Sequence, residues 1–247
     1  MEWNASLYDD KHRFVAEYGK DLLECIPHDP EQAILDLGCG TGILTARLFN
    51  LGNRVVGIDS SHSMIEKAKD QFPEIEFRVC NALDLPFEQE FDVVFSNAVF
   101  HWIDDHDLLI KNIYKSLHDG GLLICEFGAH GNIKTIEIAF SEICNTYGYH
   151  YISGFNFPTV DDFAQMLEKN KLKIEKIYAY DRPTVLSDGE HGLVHWMKQF
   201  FSFELVKIPM DIQNIIFEKM EKVCRNTIWN GKEWVADYRR LRAIAHK

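Results

Sequence analysis

The stretch Asp36-Leu37-Gly38-Cys39-Gly40-Thr41-Gly42 decides the architecture. It closes the apolar run Ala33-Ile34-Leu35-Asp36-Leu37 and opens Ile43-Leu44-Thr45-Ala46-Arg47-Leu48, which reads as a helix. A strand that turns on glycines into a helix presents backbone N–H groups to a ligand with no Cβ in the way. The next apolar run, residues 54–59, ends on Asp59. An acid at the end of a second strand is placed to accept two hydrogen bonds from a ribose diol.

Outward from this turn, strands and helices alternate. Ser60 or Ser61 caps a helix that runs to Gln71, and Pro73 blocks its continuation. Residues 75–79 and 91–96 read as the third and fourth strands. Leu108, Leu109, Ile113 and Leu117 mark a helical face, which Gly120-Gly121 is expected to end before a fifth strand at 122–127. Continuous apolar strands separated by helices predict a doubly wound, mostly parallel α/β sheet covered on both faces. Right-handed crossovers gather residues 36–42, 59–60, 81–82 and 96–102 on one edge.

The second half changes character. Ile136, Phe140, Ile143 and Tyr147 predict one amphipathic helix, and Val160, Phe163, Ala164 and Leu167 another. Residues 173–180 and 237–245 alternate like strands, and 188–226 read as helical. These pieces are expected to form a helical cap inserted into a single domain. The aromatic residues 155, 157, 196, 200, 201 and 203 are candidates for an apolar wall, although most read equally well as packing within the cap.

Composition narrows the partners. The 247 residues carry 26 Lys+Arg against 38 Asp+Glu, a net charge of −12, and the one basic cluster is Arg239-Arg240-Leu241-Arg242. Nucleic acid and anionic membrane both demand concentrated positive charge, so neither is an expected partner. No apolar run approaches the roughly 20 residues of a membrane span. With 13% aromatic residues the chain suits a small molecule. Its six cysteines lack C-x-x-C spacing and read as free thiols, so no metal site is expected. Met1-Glu2-Trp3-Asn4 has neither a basic nor an apolar leader pattern, and a cytoplasmic location is expected.

The glycines admit a nicotinamide dinucleotide or a different nucleoside. A pyrophosphate-binding fingerprint is G-x-G-x-x-G, whereas this turn is G-x-G-x-G with Asp36 two residues ahead of it. A carboxylate there repels a pyrophosphate and suits an amino group and a sulfonium, the groups of S-adenosylmethionine.

On these residues the sequence resembles the class I S-adenosylmethionine-dependent methyltransferases. The resemblance rests on 36–42, Gly57-Ile58-Asp59-Ser60-Ser61-His62-Ser63-Met64, Asn81-Ala82-Leu83-Asp84-Leu85-Pro86-Phe87 and Gly120-Gly121, and it covers residues 33–127. It implies a seven-stranded Rossmann-like methyltransferase fold. It implies that the turn from Asp36 through Gly38 and Gly40 cradles the methionine part and that Asp59 holds the ribose. Ser60 and Met64 would flank the adenosine, and Asn81 with Ala82 would meet the adenine. The implied layout is one domain over 1–247: an N-terminal helical segment at 1–30 over the cofactor, a cofactor-binding core at 31–128, a cap at 129–172 and 188–230, and closing strands at 173–181 and 236–246. Tyr8, in a stripe with Phe14 and Tyr18, is expected near the methionine end.

After the fourth strand, Asn97-Ala98-Val99-Phe100-His101-Trp102 resembles the trans-aconitate methyltransferase group, as do Trp3-Asn4-x-x-x-Tyr8 and Asp21-Leu22-Leu23. The resemblance puts Asn97 beside the cofactor. It makes Trp102 and His101 candidate hydrogen-bond donors to an acceptor carboxylate, with His101 alternatively a general base. Glu126 is expected to face the pocket or else to be a surface acid, and His106 to lie in a solvated helix start. The expected activity is methyl transfer to a small molecule, carboxylic acids foremost. N- or C-methylation of another metabolite and a non-catalytic cofactor-binding module are the alternatives, and the oligomeric state is open.

Overall fold

The sheet is built from the apolar runs. In the computed structural model, which describes residues 19–51 and 54–247, strands β1 (Ala33–Leu37), β2 (Arg54–Asp59), β3 (Glu76–Val79), β4 (Phe91–Asn97), β5 (Leu117–Gly128), β6 (Lys173–Asp181) and β9 (Arg239–His246) form one sheet. The order is β3-β2-β1-β4-β5-β9-β6. β1 pairs in parallel with β2 and β4, β2 with β3, and β4 with β5. β9 opposes β5: Lys247 N–H donates to Gly121 O, while Arg242 meets Glu126. A separate antiparallel pair joins β7 (Thr184–Val185) to β8 (Val235–Ala236).

The helices are α1 (Lys20–Leu23), α2 (Ile43–Asn50), α3 (His62–Gln71), α4 (His106–Ser116), α5 (Lys134–Thr146), α6 (Val160–Lys169), α7 (Gly192–Phe200), α8 (Ser202–Leu205) and α9 (Met210–Ile228). Ser61, not Ser60, caps α3: its Oγ accepts from Met64 N–H at 3.4 Å. Asp105 caps α4 through Leu108 N–H at 2.9 Å.

Alternation along each strand gives the sheet two buried faces. Leu35, Val94 and Leu123 enter one core with Phe100, Phe127 and Phe163. Their neighbours Ile34, Val93 and Ile124 enter the other with Leu22, Leu48 and Phe95. A sheet apolar on both sides holds its strand ends in fixed register, which places the loops that follow.

Two expectations are corrected. Gly120-Gly121 do not end α4, which stops at Ser116; they lie within β5. Phe91 opposes Leu117 and Val93 opposes Leu122, so residues 118–121 bulge out of the pairing because the buried Leu117 already belongs to the strand. The stretch 188–226 is helical as expected, in a 3-10 turn and three helices; Pro209, which lacks an N–H and disfavours helical backbone at Ile208, starts the last of them.

The second correction concerns the cap. The chain divides into two compact units. The first runs to Ala129 and adds Pro158–Ala179 and Leu241–Lys247; the second comprises His130–Phe157 and Tyr180–Arg240. Helix α6, expected in the cap, belongs to the first unit because Phe163 stacks edge-on against Phe127, 5.0 Å between centroids, in the core below the sheet. The second unit packs α5 with α9 and gathers Phe140, Tyr151, Trp196 and Phe201.

Candidate functional site

The C-terminal ends of β1, β2, β4 and β5 carry the candidate residues. The Gly-rich turn is fixed by its own backbone: Gly38 and Cys39 N–H both donate to Ile58 O, at 2.8 and 2.9 Å. Gly38 and Gly40 have φ of 78° and 55°, the left-handed region where glycine pays no Cβ penalty. A Cβ on Gly38 would overlap the Val99 side chain, so this glycine lets the acceptor-side loop pack against the turn. A Cβ on Gly40 would meet no atom of the described residues within 4 Å, so among them this position is a cradle open to a ligand.

Two carboxyls flank that cradle. Asp59 accepts from Gly40 N–H at 3.1 Å and Ser61 N–H at 2.9 Å, one bond to each oxygen. Each oxygen keeps a lone pair for a further donor. Burial raises its pKa, against the pull of those backbone donors. Asp36 is 2% exposed, and its Oδ2 accepts from Thr45 Oγ at 2.6 Å. Burial pushes its pKa up to about 7; the Thr45 bond opposes the shift and the Asp59 charge adds to it.

Ser60 is exposed beside Asp59, and Met64 is buried one turn into α3. Asn81 is exposed, with its Oδ1 accepting from Leu83 N–H at 3.0 Å, and Ala82 is half-buried. Asn97 ends β4 opposite Glu126. Tyr8, Phe14 and Tyr18 lie outside the described residues.

The loop after β4 is tied to β5 at two points. Ala98 N–H donates to Glu126 O at 2.7 Å, and Gly128 N–H donates to His101 Nδ1 at 3.2 Å. Ala98 has φ of 62°, a strained conformation for an alanine of the kind that clusters at functional sites. His101 and Trp102 occupy one short 3-10 turn, their rings 5.3 Å apart. Because a backbone N–H only donates, His101 Nδ1 accepts, and the neutral ring carries its proton on Nε2.

One expectation fails here. His106 is buried, not solvated: its Nε2 donates to Phe100 O at 2.8 Å, its ring sits among Phe100, Phe127 and Phe163, and burial lowers its pKa. The apolar α4 stripe turns it into the core, leaving Asp105 as the cap. Glu126 is an ion-pair partner, bound at one oxygen by Arg242 Nε and Nη2 at 2.7 and 2.6 Å. The basic cluster is thereby dispersed, since Arg239 pairs with Asp181 and Arg240 is buried.

The sequence reading missed Thr45, Val99, Gly128 and Arg242. A hydroxyl in the first turn of an apolar helix, and an arginine amid an apolar strand, were the available signals for two of them. Among the described residues, no group of three His, Cys, Asp or Glu is arranged to hold a metal ion, and no helix is long and apolar enough to cross a membrane.

The profile of the methyltransferase-domain family matches residues 35–125, the segment that builds this edge. An uncharacterized methyltransferase of Schizosaccharomyces pombe is 30% identical over 259 residues, covering 99% of this chain and 98% of its own. The chain belongs to the methyltransferase-domain family. As such it is an S-adenosylmethionine-dependent enzyme. This methyltransferase is also 29% identical to trans-aconitate 2-methyltransferase of Deinococcus radiodurans, over 80% of each chain. Its fold is that of geranyl diphosphate C-methyltransferase from Streptomyces coelicolor, solved with S-adenosyl-L-homocysteine. That likeness has a TM-score of 0.58 at 16% identity and covers 95% of this chain and 81% of the other.

Proposed function

We propose that the enzyme transfers the methyl group to a carboxylate oxygen of a small acid, held by His101 and Trp102. When bound, S-adenosylmethionine supplies a methyl group on a positively charged sulfur. Several features fit it: the open position above Gly40, the remaining lone pairs of Asp59 for two ribose hydroxyls, and the buried carboxyl of Asp36 for its cationic methionine end. Gly38 and Gly40 admit it to the backbone. Ser60 and Met64 flank the adenosine, Asn81 and Ala82 meet the adenine, and Asn97 bounds the methionine end.

The His101 tautomer carries the acceptor reading. With Nδ1 engaged by Gly128, the ring offers Nε2–H as a donor. Trp102 offers a second N–H from the adjacent position. Two donors suit an oxyanion. A carboxylic acid with an ordinary pKa near 4 arrives ionised at neutral pH and needs no base. An amine or a phenol arrives protonated and needs one. Glu126 is committed to Arg242 and Asp36 to Thr45, which removes two carboxylates from that task. Positioning alone then lowers the barrier by up to roughly 7–11 kcal/mol. The Deinococcus radiodurans relative is named for a carboxylic acid acceptor, in line with this reading.

The test is S-adenosylhomocysteine release across small carboxylic acids, phenols, amines and thiols. Turnover on acids that falls at least about tenfold in Trp102→Phe is expected from loss of one donor to a charged group. Turnover confined to amines, phenols or thiols overturns the carboxylate reading.

A further inference from the structure

Strand β4 is apolar from Val93 to Phe95, and Ser96 then puts a hydroxyl at a position only 1% exposed. A buried hydroxyl costs stability unless it is hydrogen-bonded. Its partner is the carbonyl of Leu37, the last residue of β1, at 2.8 Å. The backbone pairing of β1 with β4 runs from Ile34 opposite Val93 to Asp36 opposite Phe95. The Ser96 side chain therefore extends the join past the end of the ladder, to the carbonyl that leads into Gly38.

The same segment meets the turn a second time. Val99 packs on the α-carbon of Gly38, where an added Cβ would overlap its methyl groups. Between the two contacts, Ala98 holds its φ of 62° and donates its N–H to Glu126 O at 2.7 Å. The 3-10 turn that carries His101 and Trp102 begins at the next residue, Phe100. It closes on this segment, with Trp102 N–H donating to Val99 O and Ile103 N–H to Phe100 O, both at 2.9 Å. Two chain segments joined at two points become ordered together. A ligand that orders one spends part of its binding free energy on the other.

We propose that Ser96 and Val99 link the Gly-rich turn to the loop after β4, so that cofactor binding orders the segment carrying His101 and Trp102. Ser96 is then a positioning residue for methyl transfer, acting through the Leu37 carbonyl rather than on a reactant. That the ordered segment meets the acceptor rests on the reading above. The link itself does not, and its test needs no acceptor.

Amide hydrogen exchange of the full chain, with and without saturating S-adenosylhomocysteine, reads the link directly. In wild type the ligand is expected to slow exchange at least about threefold both in the turn, residues 38–42, and in the loop, residues 98–103. Ser96→Ala should keep the protection of the turn and lose that of the loop. Val99→Ala, which leaves the hydroxyl in place, should lose part of it. Ser116→Ala is the structural control. Its hydroxyl is equally buried and donates to a backbone carbonyl, that of Ile113 at 2.9 Å, but it lies at the other end of the sheet, where Leu117 opposes Phe91. That variant should keep protection in both segments. A loop left unprotected by the ligand in wild type overturns the link. So does full loop protection in both Ser96→Ala and Val99→Ala, or an equal loss in Ser116→Ala. Loss of turn protection together with loop protection in Ser96→Ala would make Ser96 a part of the cofactor site instead of a link, and overturns it as well.

Discussion

The N–H of Gly128 donates to Nδ1 of His101 at 3.2 Å, so the last residue of a central strand sets the tautomer of a side chain on the neighbouring loop. A donor role and a base role then make different predictions. As a donor, His101 is replaceable by Gln, whose amide supplies an N–H but no titratable group. His101→Gln should retain turnover within about tenfold of wild type with an unchanged pH profile, whereas His101→Ala should lose considerably more. A pH–rate profile whose acidic limb vanishes in His101→Gln would instead identify a base.

The two glycines of the turn should fail in different ways. In Gly38→Ala the new methyl collides with Val99, so the turn and the acceptor-side loop must separate and the protein should melt well below wild type. Gly40→Ala meets no atom of the described residues and costs the left-handed backbone, about 1–2 kcal/mol. It should fold and yet bind S-adenosylhomocysteine at least tenfold more weakly, since its methyl occupies the cradle. Circular dichroism melts and calorimetric titration separate the two, and normal affinity in a folded Gly40→Ala would move the ligand away from this position.

Asp59→Ala removes the acceptor for both Gly40 and Ser61 N–H groups. Each orphaned donor costs about 1–3 kcal/mol. A lower melting temperature together with at least tenfold weaker cofactor binding is expected. Full affinity for S-adenosylhomocysteine would sink the ribose assignment.

The legible parts of this molecule are those fixed by local pattern. The apolar runs at 33–37 and 54–59 become strands at the stated residues, because a strand buried on both faces has few other ways to satisfy its composition. The turn glycines, Asp36 and Asp59 are legible because their spacing follows from the strand–turn–helix geometry. The partners of those residues were less so. Glu126 and Arg242 are separated by more than a hundred residues and meet only because β9 slots between β5 and β6. His106 looked solvated because its neighbours Asp104, Asp105 and Asp107 are acidic, yet one side of the same helical turn faces the core. Helix α6 reads as cap by position and as core by its Phe163 contacts, a distinction that amphipathicity cannot make.

The near-neutral carboxyl of Asp36 ties stability to pH. Its pKa is about 7 in the fold against an ordinary 3.8. Below pH 4 the folded and unfolded chains both hold the proton, and the group costs nothing. Between pH 4 and 7 the unfolded chain releases the proton while the fold retains it, so stability falls as pH rises. Above pH 7 the loss is complete, on the order of 4 kcal/mol. Asp36→Asn removes this dependence. Its melting temperature should therefore gain on wild type as pH is raised from 5 to 8, while its affinity for the cationic cofactor falls. Parallel stability curves for the two proteins across that window would contradict the assignment.

The Glu126–Arg242 pair is a buried one, with side-chain exposures of 1% and 11%. Both arginine contacts fall on a single carboxylate oxygen, at 2.7 Å from Nε and 2.6 Å from Nη2. Removing one partner strands a charge where water does not reach it, which typically costs about 3–5 kcal/mol. Removing both exchanges an ion pair for apolar packing and is often close to neutral. Arg242→Met and Glu126→Leu should each lower stability to urea strongly, and the two substitutions combined should recover most of that loss. Because the pair is shielded, raising ionic strength should change the single-variant penalties little. The pair also seats the strand end whose backbone O accepts from Ala98 and whose Gly128 N–H orients His101. The single variants should therefore lose turnover beyond their loss of folded protein, with Trp102 still in place. Urea titrations of wild type, both singles and the double close the cycle, and a double variant as unstable as the sum of the singles would show that the two side chains act independently.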